Sequence, residues 1–432
     1  MRVLVLGGYG LIGLEIVRRL RADGFCVTGL GRTVAKGLRM APDMRWIGAD
    51  IALLTAPDAW RAHLVDIDAV VNASGALQDG ARDNLVAVQD KAICALIAAC
   101  DEANVVRFIQ ISAPGAEATA STAFLRTKSA ADQALRASAL RWTIFKPGLV
   151  ISANAYGGTA LVRMLAAFPL AQPLVLGDAR VKTVAADDVA DAAAFALAHD
   201  QTTARRDFDL VEQGSHTLRD VVAAFRAWLG FAPARAHLSL PRFVGFPIAR
   251  GADLAGWLGW RSPLRTTALR VLAEGIEGDS SDWEAVRGRA LKPLHETLRS
   301  VPSTMQERVF ARAMLVFPVL VLTLALFWLA SGVIGFWRAD DAARVLDGVV
   351  TPGDAMALVL GGGALDVLVG LGLLVRKYTR TAALGAIVVS LGYLASGTLL
   401  TPHLWTDPLG PLVKIFPAMA LALAVAALAQ ER

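Results

Sequence analysis

Short runs of aliphatic and β-branched residues alternate with longer stretches of helical periodicity from Met1 to about residue 150. This alternation predicts βαβ units and a parallel sheet covered on both faces. Strands are expected at 2–6, 26–30, 69–72, 107–111 and 141–145, and helices at 11–21 and 85–102. From 151 to 201 the pattern continues less regularly. Residues 217–300 read as helical, with breaks at Pro233, Pro241, Pro247 and between Gly275 and Gly278.

The pattern then changes. Residues 313–337 hold 25 positions without a charge, enough to span a bilayer at about 1.5 Å per residue. A second span is expected at 355–375, interrupted by Asp366, a third at 381–406, and a fourth at 408–430 with Lys414 near its start. Asp366 falls near mid-bilayer, where a charged side chain is costly and needs a partner, for which Lys414 is one candidate. The chain therefore divides into 1–215, a helical region 216–308, and a four-span segment 309–432.

Composition agrees with this division. Over 432 residues, 55% are hydrophobic and 19% charged, which excludes disorder and disfavours a purely water-soluble protein. The net charge of +5 is spread without the one-sided basic surface that nucleic-acid binding needs. Three cysteines (Cys26, Cys94, Cys100) without framework spacing point to a reducing compartment. Met1 leads straight into the first strand pattern, so no signal peptide is expected. The six histidines are scattered, and no metal site is expected. Arg376, Lys377 and Arg380 crowd one short link between spans, whereas the next link has no Lys or Arg. The positive-inside rule then puts the front domain and the C-terminus in the cytoplasm, as for a multi-pass protein of a bacterial-type inner membrane.

Chemistry is legible at the first strand–helix junction. Gly7, Gly8, Tyr9, Gly10, Leu11, Ile12 and Gly13 follow the first strand, and the spacing satisfies both GxGxxG and GxxGxxG. Glycines there permit a tight turn and let backbone N–H groups approach a pyrophosphate at a helix N-terminus. The expected architecture is thus an α/β Rossmann-like doubly wound parallel sheet followed by an all-α four-helix transmembrane bundle. After the second strand, where NAD sites place an acid, this chain has Arg32, with Lys36 nearby. A guanidinium favours a 2′-phosphate, so NADP(H) is expected over NAD(H).

These residues, together with Asn72-Ala73-Ser74-Gly75, Gln110-Ile111-Ser112-Ala113, Lys128, Lys146-Pro147-Gly148 and Asp187-Asp188-Val189, resemble the atypical short-chain dehydrogenase/reductases. The resemblance is to those near the NADPH-binding accessory subunit of respiratory complex I. The tail, through Pro402-His403-Leu404-Trp405, Asp407 to Leu412 and Lys414, resembles the DoxX-like membrane family. The first resemblance implies that Gly7, Gly10 and Gly13 hold the pyrophosphate and Arg32 the 2′-phosphate. It also implies that Asp50 lies near the adenine, that Asn72 to Gly75 and Pro147 line the cofactor, and that Ser112 and Lys128 take catalytic positions. One position departs from the family: its Tyr-x-x-x-Lys dyad reads Phe124-Leu125-Arg126-Thr127-Lys128 here. A phenyl ring cannot shuttle the proton that accompanies hydride transfer. The resemblance therefore implies a membrane-anchored oxidoreductase using another donor, such as Tyr156 or water, on a lipophilic or quinone-like substrate. The alternatives are an NADP(H)-binding structural, assembly or sensory protein, in contact with the lipid bilayer and a respiratory-type membrane complex, and a tail that works under regulation by the front domain.

Overall fold

The computed structural model describes residues 1–81 and 83–429. The end of the expected fourth span and the C-terminus, expected in the cytoplasm, lie outside the described residues. Strands β1 (Arg2–Leu6), β2 (Cys26–Gly31), β3 (Arg45–Gly48), β4 (Ala69–Asn72), β5 (Arg107–Ile111) and β6 (Arg141–Pro147) join the strand Arg206–Leu210 in one sheet. The order is Arg206–Leu210, β6, β5, β4, β1, β2, β3, and every neighbouring pair is parallel. Strand order reverses between β1 and β4, which opens a crevice at their carboxyl ends.

Period-two alternation builds two cores. Val3 and Val5 face one layer with Ile16, Val17 and Leu20 of the Leu11–Ala22 helix and Val189 of the Ala186–Ala198 helix. Leu4 and Leu6 face the other with Ile93 and Leu96 of the Ala92–Glu102 helix and Leu135 of the Ala123–Ala137 helix. β3 and Arg206–Leu210 are the two strands of this sheet without a counterpart in the sequence pattern. β3 buries only Trp46 fully, and the other strand alternates charges with Phe208 and Leu210 as an edge does. Beyond the sheet, the Gly157–Ala166 and Leu218–Trp228 helices pack a further core through Val162, Val221, Val222 and Phe225. Thr217 caps the second of these with Asp220.

Two compact units divide the chain: residues 1–256 with 261–311, and Trp257–Trp260 with the chain from Arg312 onward. The boundary falls inside the helix Met305–Trp337. In the second unit, Val321, Leu324, Trp328, Val369, Leu373, Ala386 and Val425 form the core. Outward positions such as Val319, Leu322, Leu326, Leu368, Val388 and Leu399 are exposed and apolar, a surface suited to lipid rather than water. Among the described residues, three helices are long and apolar enough to cross a membrane: Met305–Trp337, Pro352–Leu374 and Thr379–Leu400. The fourth expected span is instead a shorter apolar helix, Ile415–Leu428. Its 14 residues reach about 21 Å, short of a bilayer core of roughly 30 Å. Pro402 begins a short 3-10 turn, and Gly410 at φ 56° with Pro411 beyond it keeps the preceding chain out of the helix.

Candidate functional site

The glycine turn is packed backbone against backbone. Gly7 stands at φ 67°, and Gly10 N–H donates to Gly7 O at 2.7 Å. A Cβ on Gly13 would lie 2.2 Å from Gly7 O, and one on Gly7 would lie 2.9 Å from Ala73 O. No side chain caps the Leu11–Ala22 helix at Gly10, so its first amides, at Leu11, Ile12 and Gly13, face the turn. These amides and the helix dipole suit an anion.

The expected adenosine end lies past β2 and β3. Tyr9 Oη accepts from Thr33 N–H at 3.2 Å, and its ring covers Gly31, where a Cβ would come within 2.4 Å. Asp50 accepts from Ala52 N–H at 3.2 Å and lies 3.6 Å from Arg32 Nε. Arg32 Nη2 donates to Asp83 at 2.6 Å, and Arg261 Nη2 reaches the same carboxylate at 2.9 Å. The acids beside Arg32 hold its guanidinium above its usual pKa against the opposing effect of burial.

The other expected residues sit at the ends of β4, β5 and β6. Asn72 Nδ2 donates to Gln110 Oε1 at 2.8 Å, and Asn72 Oδ1 accepts from Ser74 N–H and Ser74 Oγ. Lys128 Nζ donates to Ile111 O at 2.8 Å and Ser74 O at 3.2 Å, so it ties the ends of β4 and β5. Burial pushes this lysine down to about pH 8. Gly75 opens beside it: a Cβ there would lie 3.0 Å from Gln89 Oε1 and 3.4 Å from Lys128 Nζ. Gln89 lies in a wide i→i+5 turn over Val86–Lys91, and its Oε1 is buried without a hydrogen-bond partner.

Ser112 does not bond Lys128. Its Oγ donates to Asp132 Oδ2 at 2.5 Å, and Asp132 is fully buried with Oδ1 unpartnered. Burial raises the Asp132 pKa, opposed by Ser112 and by the charges of Lys128, Arg136 and Lys146. Asp132, one helical turn beyond Lys128, had no sequence signal; only the fold brings it under Ser112. Phe124 is half-buried in the first turn of the same helix, and Tyr156 is 48% exposed. Pro147 is buried at the end of β6. Of the paired acids, Asp187 binds Lys292 Nζ and Asp188 accepts from Lys292 N–H at 3.1 Å. Cys100 is buried and Cys94 half-buried; burial raises both thiols, Cys94 to about 11.

In the second unit Asp366 is 4% exposed and accepts two hydroxyls at 2.6 Å, from Ser331 and from Tyr393. These hydroxyls, rather than Lys414, are its observed partners. Tyr393 Oη also lies 3.1 Å from Gly362 O, and Trp328 stacks on the Tyr393 ring with its own Nε1 buried and unpartnered. Close helix approach uses Gly370 against Leu329 and Gly363 against Gly332.

Residues 7–200 match the NAD(P)H-binding family, and residues 325–423 match the DoxX-like family. A photosystem II assembly factor, Ycf39, from Trieres chinensis is 27% identical over 148 residues, 34% of this chain. The match spans 45% of that relative, less than half its length. Two solved structures share the fold. WbmH of Bordetella bronchiseptica, in complex with NAD+, gives a TM-score of 0.54 at 17% identity, covering 72% of this chain and 98% of its own. The NADPH-dependent quinone oxidoreductase QOR2 of Escherichia coli, with NADPH, gives 0.53 at 16%, covering 69% and 99%. Residues 7–200 are therefore an NAD(P)H-binding domain, and the front of the chain has the fold of these structures. A DoxX-like domain with membrane-spanning helices follows it, and the protein is a membrane protein.

Proposed function

We propose that this chain is a membrane-anchored, NADP(H)-dependent oxidoreductase acting on a lipophilic or quinone-like substrate. The observation that carries this reading is the buried Ser112–Asp132 pair beside Lys128, at the same sheet edge as the glycine turn and Arg32. The glycine cradle and the unpartnered Gln89 Oε1 beside Gly75 fit a dinucleotide. Gly7, Gly8, Gly10 and Gly13, with the amides of Leu11 and Ile12, would hold the pyrophosphate. Arg32 would take the 2′-phosphate, and Tyr9 and Asp50 would flank the adenosine. Asn72, Ala73, Ser74, Gly75 and Pro147 would line the nicotinamide half, and Lys128 has a third N–H free in number for a ribose hydroxyl. When bound, NADP(H) supplies or accepts the hydride.

Phe124 removes the usual proton donor, and Ser112 and Asp132 offer another. Ser112 Oγ would face the substrate oxygen and pass it a proton, and Asp132, when protonated and with its hydrogen bond to Ser112 reversed, would replace that proton from its own carboxyl. In reduction, one hydride and one proton are then consumed per carbonyl, and the buried Asp132 would regain its proton back through Ser112 once product has left. Asp132→Asn keeps the shape but removes the exchangeable acid. NADPH oxidation by carbonyl and quinone acceptors should fall about 10²–10⁴-fold in that variant, with nucleotide binding retained. Failure of wild-type protein in detergent to turn over NADPH with any such acceptor would sink the enzymatic reading.

Phe124 also favours a second reading, in which NADP(H) is held as a structural or sensory group, with a membrane complex of respiratory type as partner. The assembly role in the name of the Trieres chinensis relative gives this reading its form. In either case the proposed setting is a bacterial-type inner membrane with the nucleotide domain and C-terminus in the cytoplasm, supported by Arg376 and Lys377 in the link before Thr379–Leu400 and Arg380 in that helix's first turn.

A further inference from the structure

We infer that Arg261 is a second ligand for a phosphate monoester at the adenosine end of the site, and that Asp83 is a built-in competitor for that position. The inference rests on the nucleotide-site reading above. Two guanidiniums from segments far apart in sequence converge on one carboxylate: Arg32 Nη2 at 2.6 Å and Arg261 Nη2 at 2.9 Å from Asp83 oxygens. Asp83 keeps 17% of its side-chain surface exposed, Arg32 35% and Arg261 46%, so solvent and ligands reach all three.

Two arginines around one anion are the usual composition of a phosphate clamp, because each planar fork can present paired N–H donors. Here the anion between them is the protein's own carboxylate. Asp83 lies in the loop after β4, which flanks the crevice where strand order reverses. That loop is also latched to the 253–265 segment, through Gln78 to Asp253 at 2.8 Å and Arg265 to Asp79 O at 2.6 Å. Arg261 is thereby brought within reach of Arg32, 229 positions earlier in the chain. A phosphate monoester carries more charge and more acceptor oxygens than a carboxylate, so it displaces Asp83 from the pair. A nucleotide without the 2′-phosphate gains nothing from Arg261 and leaves Asp83 in place.

The test uses the full-length protein in detergent, with fluorescence titrations of NADPH, NADH, adenosine 2′-phosphate and adenosine 5′-phosphate. Arg261→Ala should weaken NADPH binding about tenfold or more while leaving NADH within a factor of two, and should abolish any preference for the 2′- over the 5′-phosphate. Asp83→Ala should act in the opposite direction and raise the NADPH-to-NADH affinity ratio, a gain that misfolding cannot produce. Equal effects of Arg261→Ala on the two dinucleotides, or no rise in the ratio with Asp83→Ala, would overturn the inference while leaving the nucleotide site standing. Absence of binding by either dinucleotide to wild-type protein would instead remove the site reading and this inference with it.

Discussion

A single hydroxyl separates Phe124 from the residue that the short-chain dehydrogenase/reductase pattern places there. Phe124 and Lys128 are four positions apart on one helix and so share a face. Phe124→Tyr adds a phenol near a lysine whose pKa burial has already lowered. Carbonyl reduction should rise by up to about 10²–10⁴-fold. An unchanged rate in a variant that still binds NADPH would favour the structural or sensory reading. Lys128 itself makes a pH prediction. Its folded pKa of about 8 lies below the ordinary 10.5, so between those values the unfolded chain holds a proton that the folded one has lost. Stability should therefore rise with pH through that window. Lys128→Met should lack this rise when thermal midpoints are compared from pH 8 to 10. Equal slopes in the two proteins would mean that the lysine is not held as described.

The phosphate turn depends on helix, strand and loop being pressed together without side chains. Gly13→Ala would place a methyl 2.2 Å from Gly7 O and 3.1 Å from Gly8 Cα, both backbone atoms that no rotamer change can move. The expected result is loss of dinucleotide binding with a lowered melting temperature; a variant that binds normally would disprove the close approach. Elements of this kind were legible because their signals are local. Five strands and the glycine junction announce themselves as apolar runs and as glycine spacing. β3 did not, because four residues with one fully buried side chain make no run, and the wide turn at Val86–Lys91 did not, because its period differs by one residue from a helix. The fourth apolar stretch was long enough in composition, but Gly410 and Pro411 shorten the helix within it. Long-range pairings were the hardest to foresee. Asp366 stood out by its charge, whereas Ser331 and Tyr393 gave no sign of converging on it. Asp132 and Asp83 looked like ordinary helix and loop acids until the sheet brought Ser112 and two arginines to them.

At the scale of the whole molecule, charge knots hold the nucleotide-binding unit together where apolar packing alone would leave helices free to slide. Asp191 is 8% exposed at its side chain and takes Arg19 from the Leu11–Ala22 helix and Arg287 and Arg289 from the end of the Ser281–Arg287 helix and the turn after it. Burial works to raise its pKa, but the three guanidiniums hold it below the usual carboxylate range. Its contribution is complete above the unfolded pKa of roughly 3.9 and is lost as pH falls through the lower folded value. Asp191→Asn leaves Arg287 and Arg289 without this counter-charge, while Arg19 keeps Asp23, and with 25% or more of each arginine exposed it should cost about 1.5–3 kcal/mol in denaturant unfolding at neutral pH. A change under 1 kcal/mol would show that solvent screens the knot.

The same unit draws its last anchor from the first turns of the Met305–Trp337 helix. Arg308 Nε donates to Leu229 O at 2.5 Å beyond the Leu218–Trp228 helix, and Ala311 is wholly buried in the core of Val221 and Phe225. This sets where the chain can be cut. A water-soluble fragment ending at residue 304 would strip a cap from one helix and a wall from its core, although it contains every strand of the sheet. A fragment ending at 312 keeps both and still omits the uncharged stretch that follows. The longer fragment should stay monodisperse and melt several degrees higher than the shorter one. The beginning of the membrane helix is, in practical terms, the closing residue of the enzyme-like part.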